Sequence, residues 1–106
     1  MVKFLGILRL NKGFDPDETW ELWQTSHVPW AKKVLSPELK QYSINRVVKT
    51  VGESDVYGFS EMLFDDVESC EKAFNRRFST DLPERETISP WTVDRIIAEF
   101  KEIPLL

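Results

Sequence analysis

The stretch DPDETWELWQTSHVPWAKKVL, residues 15–35, holds three of the four tryptophans and the only histidine of this 106-residue chain. It opens with an Asp-Pro pair, which is typical of a helix start because a short polar side chain caps the helix and proline suits its first position. On a helix with 3.6 residues per turn, Trp20, Trp23 and His27 share one face. The stretch therefore predicts a helix that presents two indole rings and one imidazole to the same neighbour.

A proline interrupts this helical pattern. Pro29 disfavours a helical backbone at Val28, which predicts that the first helix ends near His27. A second short helix is predicted from Pro29 to about Leu35, with that proline at its first position. His27 is therefore expected at a break between two helices, beneath two tryptophan rings.

Composition and charge indicate an ordinary folded protein. With 42% hydrophobic and 30% charged residues, disorder is disfavoured, and the length predicts a single domain over residues 1–106. The net charge of −4 disfavours nucleic acid or an anionic membrane surface as the partner. A single cysteine excludes an internal disulfide, and no run approaches the ~20 apolar residues needed to span a bilayer. We therefore expect a soluble protein of the cytoplasm, with no nucleic-acid or membrane partner.

Hydrophobic periodicity predicts the order strand, helix, strand, strand, helix, strand. The strands are expected at residues 2–10, 39–51, 56–64 and 95–103, and the second helix at residues 65–77 with Asp65 as its cap. Right-handed connections applied to this order give a ferredoxin-like α+β fold, βαββαβ, with a four-stranded antiparallel sheet and both helical regions on one face. Residues 79–89, including the acidic run 81–86, are predicted to be a solvated loop, followed by one helical turn that carries Trp91.

The predicted strands carry apolar residues on both faces, although the helices can cover only one. An uncovered apolar face of this size would exceed the few hundred Å² of exposed apolar patch that is typical of a monomer. We therefore expect two copies of the chain to pack sheet to sheet as a homodimer.

Two segments carry motifs of a known family: ETWELWQTSHVPWA, residues 18–31, and DVYGFSEMLFDDVESCEKAF, residues 55–74. The first has an aromatic residue, Trp three positions on and His-x-Pro. The second has a glycine-containing strand that carries a Glu and ends in Phe-Asp before a helix. Both resemble the EthD-like family of dimeric α/β-barrel proteins. The resemblance implies a dimeric α/β barrel with a pocket between sheet and helices, whereas related barrels include monooxygenases, isomerases, cyclases and peroxidases, so the reaction is not implied.

His27 is the first candidate for chemistry, because histidine both accepts and donates protons near neutral pH. It could act as general acid or base, for example at a carbon beside a carbonyl. The alternative is a structural histidine that hydrogen-bonds the broken helix end. A lone histidine disfavours a metal site, and the absence of a nucleotide or phosphate-binding motif predicts no cofactor.

Glu61 is the second catalytic candidate, because its strand position between Phe59 and Leu63 places a carboxylate among apolar side chains. Pairing with His27, Arg9 or Arg46 is the structural alternative. Further residues are candidates for contact with a substrate, and each is open to a structural role as well: Arg9, Trp20, Trp23, Tyr42, Asn45 and Trp91.

Two functions from different classes follow. The first is a small cofactor-independent enzyme that acts on a hydrophobic, aromatic or carbonyl compound in a catabolic (xenobiotic-degrading) or secondary-metabolic pathway, with His27 as general acid or base. The second is a non-catalytic auxiliary protein or small-molecule-binding dimeric module. An enclosed cavity on which His27 and another polar group converge favours the enzyme, whereas a cavity filled by the tryptophans favours the module.

Overall fold

The computed structural model describes residues 1–105, and its strands form one antiparallel sheet. The elements are β1 (Val2–Leu10), α1 (Pro16–Leu22), a π-helical turn (Trp23–His27), α2 (Val28–Leu35), β2 (Gln41–Arg46), β3 (Gly58–Phe64), α3 (Val67–Phe78), a 3₁₀ turn (Glu84–Glu86) and β4 (Trp91–Glu99). The strand order is β2-β3-β1-β4, and every neighbouring pair is antiparallel. The predicted ferredoxin-like fold is confirmed. None of the helices in the described part of the chain is long and apolar enough to cross a membrane.

The helical region does not break at Pro29, so the predicted helix end near His27 is wrong. Val28 has helical backbone angles (φ −61°, ψ −49°), and its N–H donates to the carbonyl of Trp23, five residues back. This wider π-type turn holds one more residue than an α-helical turn. Because proline has no N–H to donate, it fits at the start of α2 directly after that turn, and the helix passes through without an extended residue.

The boundaries of β2, β3 and β4 also differ from the prediction: β3 begins at Gly58 rather than at residue 56, and β4 spans Trp91–Glu99 rather than residues 95–103. β2 ends at Arg46, and residues 47–57 form a connection in which Val48 and Val51 are fully exposed, because no neighbouring strand is present to pair with them. Trp91 is not on a helical turn, since it begins β4 and pairs with Leu10 of β1. β-branched and aromatic side chains alone do not decide where pairing stops.

The cap of α3 is Asp66 rather than the predicted Asp65. The Asp66 carboxylate accepts a hydrogen bond from the backbone N–H of Ser69 at 2.7 Å, and this bond lowers its pKa. Cys70 and Ala73 of this helix are fully buried in the core.

Buried side chains form two clusters on the helix-covered face of the sheet. The larger cluster consists of Val2, Phe4, Ala31, Leu35, Met62, Phe64, Cys70 and Ala73. The smaller cluster consists of Leu8, Trp23 and Trp91. Between them runs a row of paired residues, Ser60, Gly6 and Arg95, across β3, β1 and β4. Because Gly6 has no side chain and Ser60 has a short one, this row leaves an empty space above the sheet. We call it the hollow row.

Within residues 1–105 no helix lies on the opposite face of the sheet. The molecule measures 38 × 38 × 19 Å, and its smallest dimension matches two layers. Its apolar side chains include Leu5, Ile7, Phe59 and Ile96. Charged side chains lie among them, and Lys3 pairs with Glu61 at 3.4 Å. This open face is therefore mixed rather than uniformly apolar.

Candidate functional site

A cavity of about 320 Å³ lies above the hollow row of the sheet, between the two buried clusters. Phe4 and Met62 form one wall and Leu8 and Trp91 the other. The floor depends on Gly6, because a Cβ there would lie 2.6 Å from the hydroxyl oxygen of Ser60. The volume is at the lower end of the range for small-molecule sites.

His27 reaches this cavity from the end of the π-helical turn. Its Nδ1 lies 2.5 Å from Oε1 of Glu86, and Oε2 of Glu86 accepts a hydrogen bond from the hydroxyl of Ser26 at 2.9 Å. The side chain of Glu86 is 3% exposed and that of His27 16%. A carboxylate buried to this degree is stable only when its oxygens are hydrogen-bonded, and here both are.

Glu86 fixes which nitrogen of His27 can act on a ligand. When the Glu86 carboxylate accepts a hydrogen bond from Nδ1–H, a neutral imidazole carries its lone pair on Nε2. Nε2 has no hydrogen-bond partner within residues 1–105, and the ring packs against Trp30 and Trp91 with ring centroids 5.4 Å away in each case. A histidine oriented by a buried carboxylate is a recurring arrangement for proton transfer.

The tryptophans form a wall of the cavity and do not fill it. Trp23 is 1% exposed, and its ring lies 5.5 Å from that of Trp20 and 5.8 Å from that of Trp91. Trp23 and Trp91 line the cavity, whereas Trp20 packs behind Trp23. Trp23 packs directly against the sheet at Gly58. A Cβ at that position would lie 2.8 Å from the indole ring, so this packing requires glycine.

Tyr42 of β2, a candidate for substrate contact from the sequence, also lines the cavity. Burial raises the pKa of Tyr42, and the negative charge of Glu86 adds to this effect while the indole of Trp23 opposes it. The phenol is therefore neutral at physiological pH and is available as a hydrogen-bond donor.

Glu61, Asn45 and Arg9 lie on the open face, so the structure does not bring them to His27. Glu61 accepts hydrogen bonds from Lys3 at 3.4 Å and from Asn45 at 3.5 Å. Arg9 bonds two aspartates at 3.0 and 2.6 Å. These contacts favour a structural role for all three, and the predicted alternative pairing of Glu61 with His27 does not form.

The sequence did not single out Glu86, which lies in the acidic run predicted to be solvated. Within the 3₁₀ turn Glu84 is exposed and only Glu86 is buried, and no local pattern distinguishes the two. Arg77 and Arg95 were missed as well. Arg95 could have been found, because alternation along β4 places it on the same face as Trp91.

Other groups that could support chemistry lie away from this cavity. Cys70 belongs to the larger cluster, where burial and the charge of Glu71 raise its pKa to about 11, so the reactive thiolate is disfavoured. Within the described residues no three His, Cys, Asp or Glu side chains come together in a group that could hold a metal ion.

Solved structures with the same fold cover nearly the whole chain. An ethyl tert-butyl ether d (EthD) family protein from Bacillus halodurans superposes with a TM-score of 0.66 at 22% identity, over 95% of this chain and 99% of that one. A dimeric ferredoxin-like protein from an uncultured marine organism gives 0.56 at 17%, over 95% and 96%. SnoaB, a cofactor-independent oxygenase from Streptomyces nogalater, gives 0.56 at 8%, over 96% and 94%. At these identities the likeness shows the fold alone.

Comparison of sequences assigns the chain to a family, which the likeness of folds does not. No curated protein sequence matches this chain. The model of the EthD domain family, in contrast, matches residues 11–84, a segment that contains His27, Tyr42 and Gly58. Because that match spans well over half of the sequence, the chain belongs to the EthD domain family.

Proposed function

We propose that this protein is a small enzyme that needs no cofactor and uses His27 as general acid or base on a small aromatic or carbonyl compound. The observation that carries the proposal is the contact of 2.5 Å between His27 and the buried Glu86 at the edge of the cavity. A carboxylate that orients an imidazole and leaves Nε2 without a protein partner suits proton transfer better than core packing.

Proton transfer at a carbon beside a carbonyl fits the groups that line the cavity. Nε2 of His27 takes the proton, and the electron pair of the broken C–H bond moves to the carbonyl oxygen as an enolate forms. Glu86 stabilises the resulting imidazolium by its negative charge. The neutral phenol of Tyr42 donates a hydrogen bond to the oxygen on which negative charge develops. This step needs no oxidant, reductant or metal ion.

The aromatic side chains that line the cavity support a flat substrate with an apolar body. Aromatic rings of Phe4, Phe74, Trp23 and Trp91 contribute to its lining, and aromatic ligands stack favourably on such rings. A cofactor-independent oxygenase has the same fold, which supports chemistry that needs no cofactor. Breakdown of a xenobiotic or aromatic compound, or a step of secondary metabolism, is the corresponding setting, and the free thiol of Cys70 suits the reducing cytoplasm.

We further propose that the working unit is a homodimer packed through the open face of the sheet. Phe59 and Ile96 on this face are 36% and 45% exposed, and the face has no covering layer within one chain. The charges of Lys3 and Glu61 offset each other on this face, which lowers the penalty for burying them together. The dimeric protein with this fold from a marine organism supports the same assembly.

Deuterium exchange tests the catalytic proposal on simple carbonyl compounds, whatever the natural substrate is. The wild-type protein is incubated in D2O with a panel of lactones and aromatic ketones that carry a saturated C–H beside the carbonyl, and loss of that C–H signal is followed by NMR. We expect exchange of at least one compound to be accelerated and to fall by about 100- to 10,000-fold in His27→Ala. Lys33→Ala, which changes an exposed side chain of α2, is the control and keeps the wild-type rate.

Two results would contradict the catalytic proposal. The first is exchange that proceeds equally fast in wild type and His27→Ala. The second is binding of panel compounds, seen as a raised melting temperature, without exchange of any of them; this result supports the non-catalytic binding module instead.

A further inference from the structure

We infer that the cavity binds a substrate that carries a carboxylate or a similarly compact anionic group, held by Arg77 and Arg95. The inference rests on the proposed function in treating the ligand as a substrate, and it deepens that function by assigning the substrate's charge.

Both arginines line the cavity from opposite layers of the fold. Arg77 is half-buried on α3, and Arg95 is exposed on β4, where it pairs across the sheet with Gly6. Their guanidinium carbons lie 4.9 and 5.2 Å from the ring centroid of Phe78. Arg77 also lies 5.2 Å from the ring of Trp30. Aromatic rings therefore hold both guanidinium groups beside the cavity.

Arg77 and Arg95 differ from three other arginines of the chain, which form ion pairs with carboxylates. Arg9, Arg46 and Arg76 each bond a carboxylate, at distances of 2.6 to 3.0 Å. Arg77 and Arg95 form no such ion pair within residues 1–105. The cavity is thus lined by two guanidinium groups that lack a carboxylate partner, in a chain whose net charge is −4.

Glu86 is the one carboxylate among the described residues that line the cavity, and it does not neutralise the two arginines. Both oxygens of Glu86 are already bonded, one to His27 and one to Ser26. Burial lowers the pKa of Arg77, the positive charge of Arg95 lowers it further, and Glu86 only partly opposes them. Two like charges beside a partly enclosed cavity repel each other, and an anion placed between them removes that repulsion.

The chemistry of guanidinium narrows the class of ligand. Its planar fork matches a carboxylate with two parallel hydrogen bonds, and such charge-assisted bonds are stronger than neutral ones. Together with the aromatic walls this favours an aromatic or unsaturated acid of one or two rings. Its acid group lies near the arginines, and its apolar body lies along Trp91 and Phe74 towards His27.

Calorimetric titration with matched ligands tests the inference. A panel of one- and two-ring aromatic acids, benzoate and 1-naphthoate among them, is titrated into tag-free protein beside the neutral amide of each acid. We expect at least one acid to bind more tightly than its amide. In Arg77→Gln and Arg95→Gln the affinity for that acid falls by about 10- to 100-fold while the affinity for the amide stays the same. Arg85→Gln removes an arginine outside this cavity, also without a carboxylate partner in the described part of the chain, and keeps wild-type affinity.

The inference is overturned if no acid binds more tightly than its amide, or if Arg85→Gln weakens acid binding as much as Arg77→Gln does. It is also overturned if Arg77→Gln weakens binding of the acid and of the amide equally while the circular dichroism spectrum is unchanged. That result indicates that Arg77 shapes the cavity and does not bind the anionic group. His27→Ala separates this inference from the catalytic proposal. Unchanged exchange in that variant contradicts the catalytic proposal only, whereas acid-selective losses in the arginine variants support anion binding by themselves.

Discussion

His27 and Glu86, 59 positions apart in the chain, meet with Nδ1 and Oε1 2.5 Å from each other. One comes from a π-helical turn and the other from a 3₁₀ turn, so the pair exists only because tertiary packing brings the two turns together. Ser26, next to His27, bonds the second oxygen of the same carboxylate at 2.9 Å. The two turns are thereby joined at the cavity, and the imidazole is held in one orientation.

Replacing Glu86 by glutamine should lower the rate of proton exchange by up to about 10,000-fold, the loss seen when the carboxylate that orients a general-base histidine becomes an amide. The amide keeps the size of the side chain but cannot stabilise an imidazolium by charge. The measurement is NMR-detected exchange with the best substrate of the panel, at saturating and at low concentration. Glu84→Gln, in the same turn but exposed, is the matched control, and an equal loss in both variants would refute a specific role for Glu86.

Gly58→Ala should destabilise the fold by about 1–3 kcal/mol, the usual range for overpacking. A Cβ at this position would lie 2.5 Å from the backbone carbonyl oxygen of Asn45 and 2.8 Å from the ring of Trp23, and neither can move easily. Gly6→Ala is the comparison, because its nearest contact is the hydroxyl of Ser60, which can rotate away. Urea unfolding of both variants measures the difference, and a Gly58→Ala variant as stable as Gly6→Ala would contradict the packing described for Trp23.

Glu38→Gln should reduce stability at neutral pH and should matter progressively less in acid. The carboxylate of Glu38 accepts hydrogen bonds from both terminal nitrogens of Arg76 at 2.9 to 3.0 Å, and this pairing holds its pKa below the ordinary value of 4.5. A lowered folded-state pKa gives stability that is present above the unfolded-state pKa and is lost as the pH falls through the folded-state value.

Urea unfolding across the acid range measures this effect. The gap in unfolding free energy between wild type and Glu38→Gln should be constant above pH 4.5 and should close below it. Glu53→Gln alters an exposed glutamate that forms no ion pair within residues 1–105 and should follow the wild-type curve. A gap that stays open at low pH would show that packing, rather than the charge of Glu38, accounts for the loss.

Phe59→Lys should convert the proposed homodimer into a monomer of half the mass. The added charge lies in the middle of the open face, where a second copy would have to bury it, and such a charge would have no partner. Sedimentation equilibrium at micromolar concentration measures the mass. Val67→Lys, which changes an exposed apolar residue at the start of α3, should leave the dimer intact. A wild-type protein that sediments as a monomer would rule out the assembly.

Local sequence signals predicted the parts of the fold that local physics controls. β1 was predicted at Val2–Leu10 to the residue, and Asp15 does cap the first helix by accepting from the N–H of Glu18. The prediction of a helix end near His27 was wrong because of Pro29. A π-type turn before α2 accommodates a residue without an N–H, and single-residue preferences do not reveal such a turn. Val48 and Val51 misled the strand prediction because strand pairing depends on a neighbour rather than on propensity.

The candidate site was predicted only in part, because tertiary packing decides which side chains meet at the cavity. His27, Trp23, Tyr42 and Trp91 do line one cavity, since aromatic and histidine side chains are conspicuous in the sequence. Glu61 was a catalytic candidate but lies on the open face, opposite Leu5, because alternation along a strand gives two faces without telling which one the helices cover. Glu86 could not be predicted from the sequence, because its burial comes from tertiary packing of an acidic turn.

The orientation of the single imidazole tests the central claim most directly. Because the chain has one histidine, long-range ¹H–¹⁵N correlation spectra of tag-free protein report on His27 without assignment. At alkaline pH, where an imidazole is neutral, we predict that the proton is on Nδ1 and that an aromatic acid shifts the Nε2 resonance as it saturates the cavity. A proton on Nε2, or an Nε2 resonance that does not move at saturating ligand, would contradict the account.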